Sequence, residues 1–263
     1  MCLNLFIFCF LQAYAALVIG VDTRPLLEVT KEVIKENNMT GKIQIINSKI
    51  EDLVLPDGIT EVDVIVSDWA GECLLHKSSL KDVILARDKF LKPGGLMFPD
   101  TASLYITGVD DYLSQDTALS YWDHVYGFDM SAIAATIKQE PQHVKFNQNQ
   151  VMTNSLLIKE IDLHSPSQTS TVDFLSAFHL NVLKKGYIRG VSLHFSYGFN
   201  HGIERIKFSN SVDARNDWKQ TYLHLQDYLL CQKADEIFGV FHMVSSENKL
   251  EIKFDLELKV REI

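Results

Sequence analysis

The hydrophobic rhythm of this chain changes once, near Pro99, and that change limits it to an α/β half followed by an all-β half. Before it, the short apolar runs Leu17-Val18-Ile19-Gly20-Val21, Ile43-Gln44-Ile45-Ile46, Val62-Asp63-Val64-Ile65-Val66 and Leu96-Met97-Phe98 alternate with helical patterns over residues 26–37 and 79–91. Such alternation builds βαβ units and a doubly wound sheet. The run from Val62 to Val66 is nearly continuous in apolar character, as expected of a strand covered on both faces. Lys92-Pro93-Gly94-Gly95 is expected to stop the second helix. After residue 100, segments 102–109, 156–163, 174–182, 190–199 and 250–260 are rich in β-branched and aromatic residues with period-two stretches. They predict a β-sandwich or barrel.

A chain of 263 residues is long enough for two such lobes. The boundaries read as a Rossmann-like lobe over 1–100 and a β-barrel over 101–263, interrupted by an insertion at about 112–148. That insertion carries Tyr121, Trp122, Tyr126, Phe128 and Met130. So much apolar surface is costly in water, so it is expected to pack on another surface, within the chain or on a second subunit. The first 21 residues hold no charged side chain, and Ala13-Tyr14-Ala15 imitates a signal-peptidase site. No Lys or Arg precedes Arg24, which disfavours a secretory signal, and Asn4 and Gln12 interrupt the run, which disfavours a membrane span; a buried helix through residues 5–14 is preferred.

A formal net charge of −9 argues against direct nucleic-acid binding and suits a basic protein partner. Cys2, Cys9, Cys73 and Cys231 are scattered, with no metal-ligand spacing, which points to a reducing compartment. The nine histidines stand singly and none is assigned a role.

Two carboxylates sit where an α/β sheet binds nucleotides. Asp22 ends Gly20-Val21-Asp22, at the carboxyl end of a strand, where a carboxylate can accept both ribose hydroxyl protons. Glu51, in Ser48-Lys49-Ile50-Glu51-Asp52 after the next strand, can meet an adenine amino group. A third acidic feature follows Val66: the loop Ser67-Asp68-Trp69-Ala70-Gly71-Glu72-Cys73-Leu74-Leu75-His76-Lys77.

With Val18-Ile19-Gly20-Val21-Asp22, Ala86-Arg87-Asp88-Lys89-Phe90-Leu91, Gly94-Gly95-Leu96-Met97-Phe98-Pro99-Asp100, Val125-Tyr126-Gly127-Phe128-Asp129-Met130, Leu157-Ile158-Lys159-Glu160-Ile161-Asp162 and Trp218-Lys219-Gln220-Thr221, this loop resembles the type I protein arginine methyltransferase family, in the family's order and over nearly the whole chain. The resemblance implies an S-adenosylmethionine-binding Rossmann lobe, a β-barrel lobe and a helical dimerisation arm at about 112–148. It implies that Asp22 holds the cofactor ribose and Glu51 the adenine. It also implies a cytoplasmic or nuclear location and a homo- or heterodimer.

The departures from the family pattern are specific. The family's glycine-rich first motif has no counterpart, because the chain begins inside the helix that follows it, so weaker cofactor affinity is expected. The family clamps the substrate guanidinium between two glutamates of the loop, and the corresponding residues are Asp68 and Lys77. Like charges about 4 Å apart repel by roughly 4 kcal/mol at an effective dielectric near 20. Before Trp218 the family's histidine is Asp217, and Lys77 and Asp217 are expected to neutralise each other. Two readings follow: an enzyme that transfers methyl from S-adenosylmethionine to arginine in proteins, or a catalytically inactive partner of an active relative.

Overall fold

The computed structural model describes residues 14–25, 27–112, 120–133, 136, 140–165, 173–202, 204–245 and 250–259. They divide into two compact units. The first runs through Val62 and takes back Leu85–Pro93; the second comprises Asp63–Ile84 and the chain from Gly94 onward. Of the helix expected through residues 5–14, all but Tyr14 lies outside the described residues.

In the first unit, β1 (Val18–Asp22) pairs in parallel with β2 (Ile43–Asn47), in a register that sets Asp22 opposite Asn47. The helix α1 (Leu27–Glu36) joins them and buries Leu27, Thr30 and Ile34, one stripe at helical spacing. Glu28 in its first turn and Lys35 in its last complement the helix dipole. It ends where Asn38 takes a left-handed φ of 56° and the Met39 amide reaches back to the Ile34 carbonyl at 3.0 Å. Val18, Ile34 and Ile43 form one small core; Leu53, Leu55 and Phe90 form another, packed against Ile19, Val21 and Ile46. Lys89 Nζ donates to the Glu51 and Leu53 carbonyls at 3.0 Å each, which fastens the turn after β2.

The helix α2 spans Leu80–Phe90, and the next strand begins at once: β4 runs over Leu91–Phe98 and pairs with β3 (Val62–Val66). The Pro-Gly-Gly stretch therefore ends the helix as expected, but it lies inside a strand. Gly94 accommodates this with a φ of 78°, which a side chain would resist.

The second unit is antiparallel. Its strands are β5 (Thr101–Val109), β6 (Gln142–Val144), β7 (Leu156–Asp162), β8 (Phe174–Asn181), β9 (Gly186–Phe199), β10 (Ile206–Ser209), β11 (Gln220–Cys231), β12 (Glu236–Ser245) and β13 (Leu250–Lys259). Six of them form a sheet in the order β6-β11-β9-β5-β7, with β10 on β9; the others form the sheet β13-β12-β8. The barrel expected from the sequence thus appears as two sheets without a closed ladder among the described residues. An isolated bridge between Thr153 and Val182, just before β7 and just after β8, links the chain between them. Ala102, Leu104, Ile106, Val191 and Leu193 on the central strands β5 and β9 are fully buried.

Only part of the expected arm is described. Ser120–Asp123 forms a 3-10 turn, Val125 is buried, and Tyr121, Tyr126 and Phe128 are exposed, Tyr126 at 94%. Trp122 and Met130 are half-buried. No described helix is long and apolar enough to cross a membrane.

Candidate functional site

The loop after β3 lies wholly in the second unit and is built on buried apolar side chains. Trp69 is 1% exposed and packs on Tyr197 with ring centroids 5.8 Å apart. Its carbonyl accepts the Ser79 amide at 2.9 Å, closing the loop at the start of α2. Inside that closure, the Gly71 amide donates to the Leu74 carbonyl at 2.9 Å and the His76 amide to the Glu72 carbonyl at 2.8 Å. Cys73, Leu74 and Lys77 all take left-handed φ values, 50°, 69° and 52°, which non-glycine residues adopt only when packing compels them. Cys73, Leu74, Leu75 and His76 supply that packing, all being buried. Gly71 is required as well: a Cβ there would stand 1.8 Å from the His76 carbonyl oxygen.

The turn buries its apolar members and exposes Asp68, Glu72 and Lys77 together. Lys77 Nζ lies 3.8 Å from Glu72 Oε1. Glu72 is the residue that sequence reasoning passed over, although it sits on the loop five residues before the charge-reversed position. The Cys73 thiol is no nucleophile, since burial pushes its pKa up to about 12. Burial also holds the His76 imidazole below its ordinary value, with the Glu72 charge opposing this and the Lys77 charge adding to it.

Lys77 and Asp217 do not neutralise each other. Asp217 Oδ1 instead accepts from Lys145 Nζ at 2.8 Å, and the same ammonium donates to the Asn216 carbonyl at 2.7 Å. The cause is sheet register: β6 pairs with β11 so that Val144 faces Gln220, which carries Lys145 to the start of β11. The hydrogen bond from Lys145 lowers the Asp217 carboxyl below its usual range. Trp218 is partly exposed and meets Phe208 and Phe195 edge-on at 5.1 and 6.0 Å.

In the first unit, the pairing of β1 with β2 sets Asp22 at the sheet's carboxyl edge and leads the chain from Asn47 into the turn that carries Glu51. Glu51 is exposed. The Asp22 carboxylate is already engaged: Oδ1 accepts the Thr23 and Arg24 amides at 2.8 and 3.0 Å, and the Arg24 guanidinium holds both oxygens. That side-chain bond is the main reason the Asp22 pKa is lowered. Carboxylates at both positions suit the hydroxyl and amino donors of an adenosyl group. The Arg24 side chain, 58% exposed, must turn outward for Asp22 to serve. The Asp-x-Arg spacing was the available signal. Among the described residues no group of three His, Cys, Asp or Glu side chains could hold a metal ion.

The profile of the arginine methyltransferase oligomerization subdomain matches residues 100–262. Protein arginine N-methyltransferase 8-B of Danio rerio is 37% identical over 252 residues, covering 94% of this chain and 59% of that protein. Protein arginine N-methyltransferase 1 of Caenorhabditis elegans is 34% identical over 256 residues, covering 95% and 73%. The chain thus spans about three fifths to three quarters of the length of these relatives. Among solved structures, the Trypanosoma brucei PRMT1 enzyme-prozyme heterotetrameric complex with AdoHcy superposes with a TM-score of 0.85 at 27% identity, over 93% of this chain and 78% of that one. Arabidopsis thaliana protein arginine methyltransferase 10 shares the fold, with a TM-score of 0.80 at 23% identity over 94% and 79%. From the loop frame, the strand pattern and these matches together, the chain belongs to the protein arginine methyltransferase family.

Proposed function

We propose that this protein works in protein arginine methylation as the non-catalytic partner of an active methyltransferase subunit. The observation that carries this reading is Lys77: at the second clamp position it presents an ammonium, held by Glu72 at 3.8 Å, where a carboxylate would have to receive the substrate guanidinium. A guanidinium brought to that position meets a like charge, and each 1.4 kcal/mol of repulsion costs a factor of ten in rate. The ribose-facing carboxylate is likewise taken, by Arg24.

Other features support the partner role. Tyr121, Tyr126 and Phe128 remain exposed on the isolated chain, and aromatic side chains of this kind anchor interfaces. The Trypanosoma brucei complex is described as one of enzyme and prozyme, which offers a precedent for unequal subunits. S-adenosylmethionine, when bound, would supply the methyl group as a sulfonium; Asp22 and Glu51 are the residues of this chain that would hold its ribose and adenine. A basic, arginine-containing segment is the expected protein substrate of the assembly.

A labelled-methyl transfer assay on a Gly/Arg-rich peptide tests the proposal. The chain alone should give no turnover, and adding it to an active relative should raise that relative's turnover. Robust turnover by this chain alone would overturn the reading.

A further inference from the structure

A pocket of about 210 Å³ opens on the six-stranded sheet, and none of its lining residues belongs to the loop after β3. Its floor is one face of the central strands: Thr107 on β5 pairs with Ser192 on β9, and His194 lies two residues further along the same face. All three are buried. One side is the segment after Gln150, tied to the sheet by the Met152 amide on the Gly108 carbonyl at 2.9 Å and by the Gly108 amide on Thr153 Oγ1 at 2.8 Å. Ser192 is 1% exposed, yet its Oγ has no hydrogen-bond partner among the described residues. Buried hydroxyls are almost always satisfied, so this one marks a binding position. We infer that the pocket is a binding site for a small uncharged polyhydroxy molecule, a monosaccharide or a cyclic polyol, held from beneath by Ser192, Thr107 and His194. The inference goes beyond the partner reading and does not depend on it.

The lining decides the class of ligand. Thr107 and Ser155 share one hydrogen bond at 2.7 Å, so whichever donates, one hydroxyl proton of the pair remains. Asn154 Oδ1 accepts the Asn181 amide at 2.6 Å, which leaves the Asn154 NH2 as a donor. Burial, then the charge of Lys207, brings the His194 pKa down to about 4; at neutral pH the ring is uncharged and offers one N–H and one lone pair. Donors and acceptors thus stand side by side, and a hydroxyl, being both, can pair with each. None of the described lining residues is cationic, so an anion lacks a counter-charge. The one lining carboxylate, Asp213, is exposed and accepts from Gln148 Nε2, so the floor holds no partner for a cation. An apolar molecule would strand Ser192 and Thr107. Val151 and Val212 line the pocket as well and suit the C–H face of a sugar ring. The volume equals that of about seven waters, which one such ring fills.

Saturation-transfer NMR and calorimetry on the full chain test this, with D-ribose, D-glucose and myo-inositol as probes and with acetate and methylammonium as charged controls. At least one of the three sugars and polyols should bind with a Kd of about 10 mM or tighter, and both ions should bind more weakly than it does. Ser192→Ala should weaken that probe by at least about threefold, while the melting temperature stays level or rises because the hydroxyl has no protein partner to lose. Ser192→Val, which adds volume to the floor and suits a strand, should abolish binding. Thr107→Val, which keeps the shape of threonine and removes its hydroxyl, should weaken the probe likewise and serves if Ser192→Val does not fold. Weaker binding than about 10 mM by all three probes, a change below about threefold in Ser192→Ala, or an ion bound as tightly as the best probe would overturn the inference.

Discussion

Arg24 holds both oxygens of the Asp22 carboxylate while the Thr23 and Arg24 amides bond to the first of them, so that every acceptor site of Asp22 is engaged by residues one and two positions away. If Asp22 is the ribose acceptor, the guanidinium competes with the cofactor. Arg24→Ala should then bind S-adenosylhomocysteine at least about threefold more tightly by calorimetry, a change typical of removing one exposed ion pair. Unchanged or weaker binding would remove Arg24 from the cofactor site.

The same pair fixes a direction of pH dependence. The Asp22 pKa is lowered in the folded chain, so the pair contributes stability above the ordinary carboxylate value of 3.8 and loses it as pH falls through the folded value. Arg24→Ala should therefore lower the melting temperature slightly at neutral pH, and flatten its decline as pH falls below that value.

His194 titrates on the opposite principle. It is buried on β9, stacked on Tyr105 with ring centroids 5.0 Å apart, and burial followed by the charge of Lys207 pushes its pKa from 6.5 down to about 4. The unfolded chain therefore binds a proton that the folded chain refuses. Stability should be complete above pH 6.5 and decline by up to about 3 kcal/mol as pH falls toward 4. His194→Phe, which keeps the stacked ring and removes the titration, should flatten the melting temperature across that window.

Gly71 is the point of closest backbone approach in the loop. Because a Cβ there would collide with the His76 carbonyl, Gly71→Ala should cost about 2 kcal/mol or more. Trp69→Ala, which empties a fully buried site, should cost about 3–5 kcal/mol. Chemical denaturation checks both, and a loss below about 1 kcal/mol in either would contradict the frame described.

Asp217, by contrast, is fully exposed, and its ion pair with Lys145 lies in water. Asp217→Asn should leave the melting temperature unchanged. Lys77→Glu should not destabilise the fold through Asp217, since these two do not meet. It should instead set three carboxylates on the loop, and any loss of stability should disappear when Glu72→Gln is added.

What the sequence made legible followed from local physics. The alternation before Pro99 reports strands and helices because each must bury one face, and Leu27 and Ile34 lie on the stripe the pattern selects. The period-two segments after Pro99 report strands for the same reason. Pairings set by tertiary register were not legible. Lys145 reaches Asp217 only because β6 lies against β11, 72 positions apart in sequence. Arg24 was within reach of sequence reasoning, being two residues from Asp22, and Glu72 stood inside the loop already singled out. Neither stands at a position where the family pattern places a glutamate, so the resemblance marks neither.

The loop keeps its shape through residues that bear no charge: Gly71 by its missing side chain, and Trp69, Leu74 and Leu75 by burial. Its charged residues, Asp68, Glu72 and Lys77, all face outward and contribute little to holding it together. Form and chemistry in this segment are therefore separately heritable. A single codon change at position 77, from lysine to glutamate, alters the charge of the loop and touches none of the buried residues that frame it.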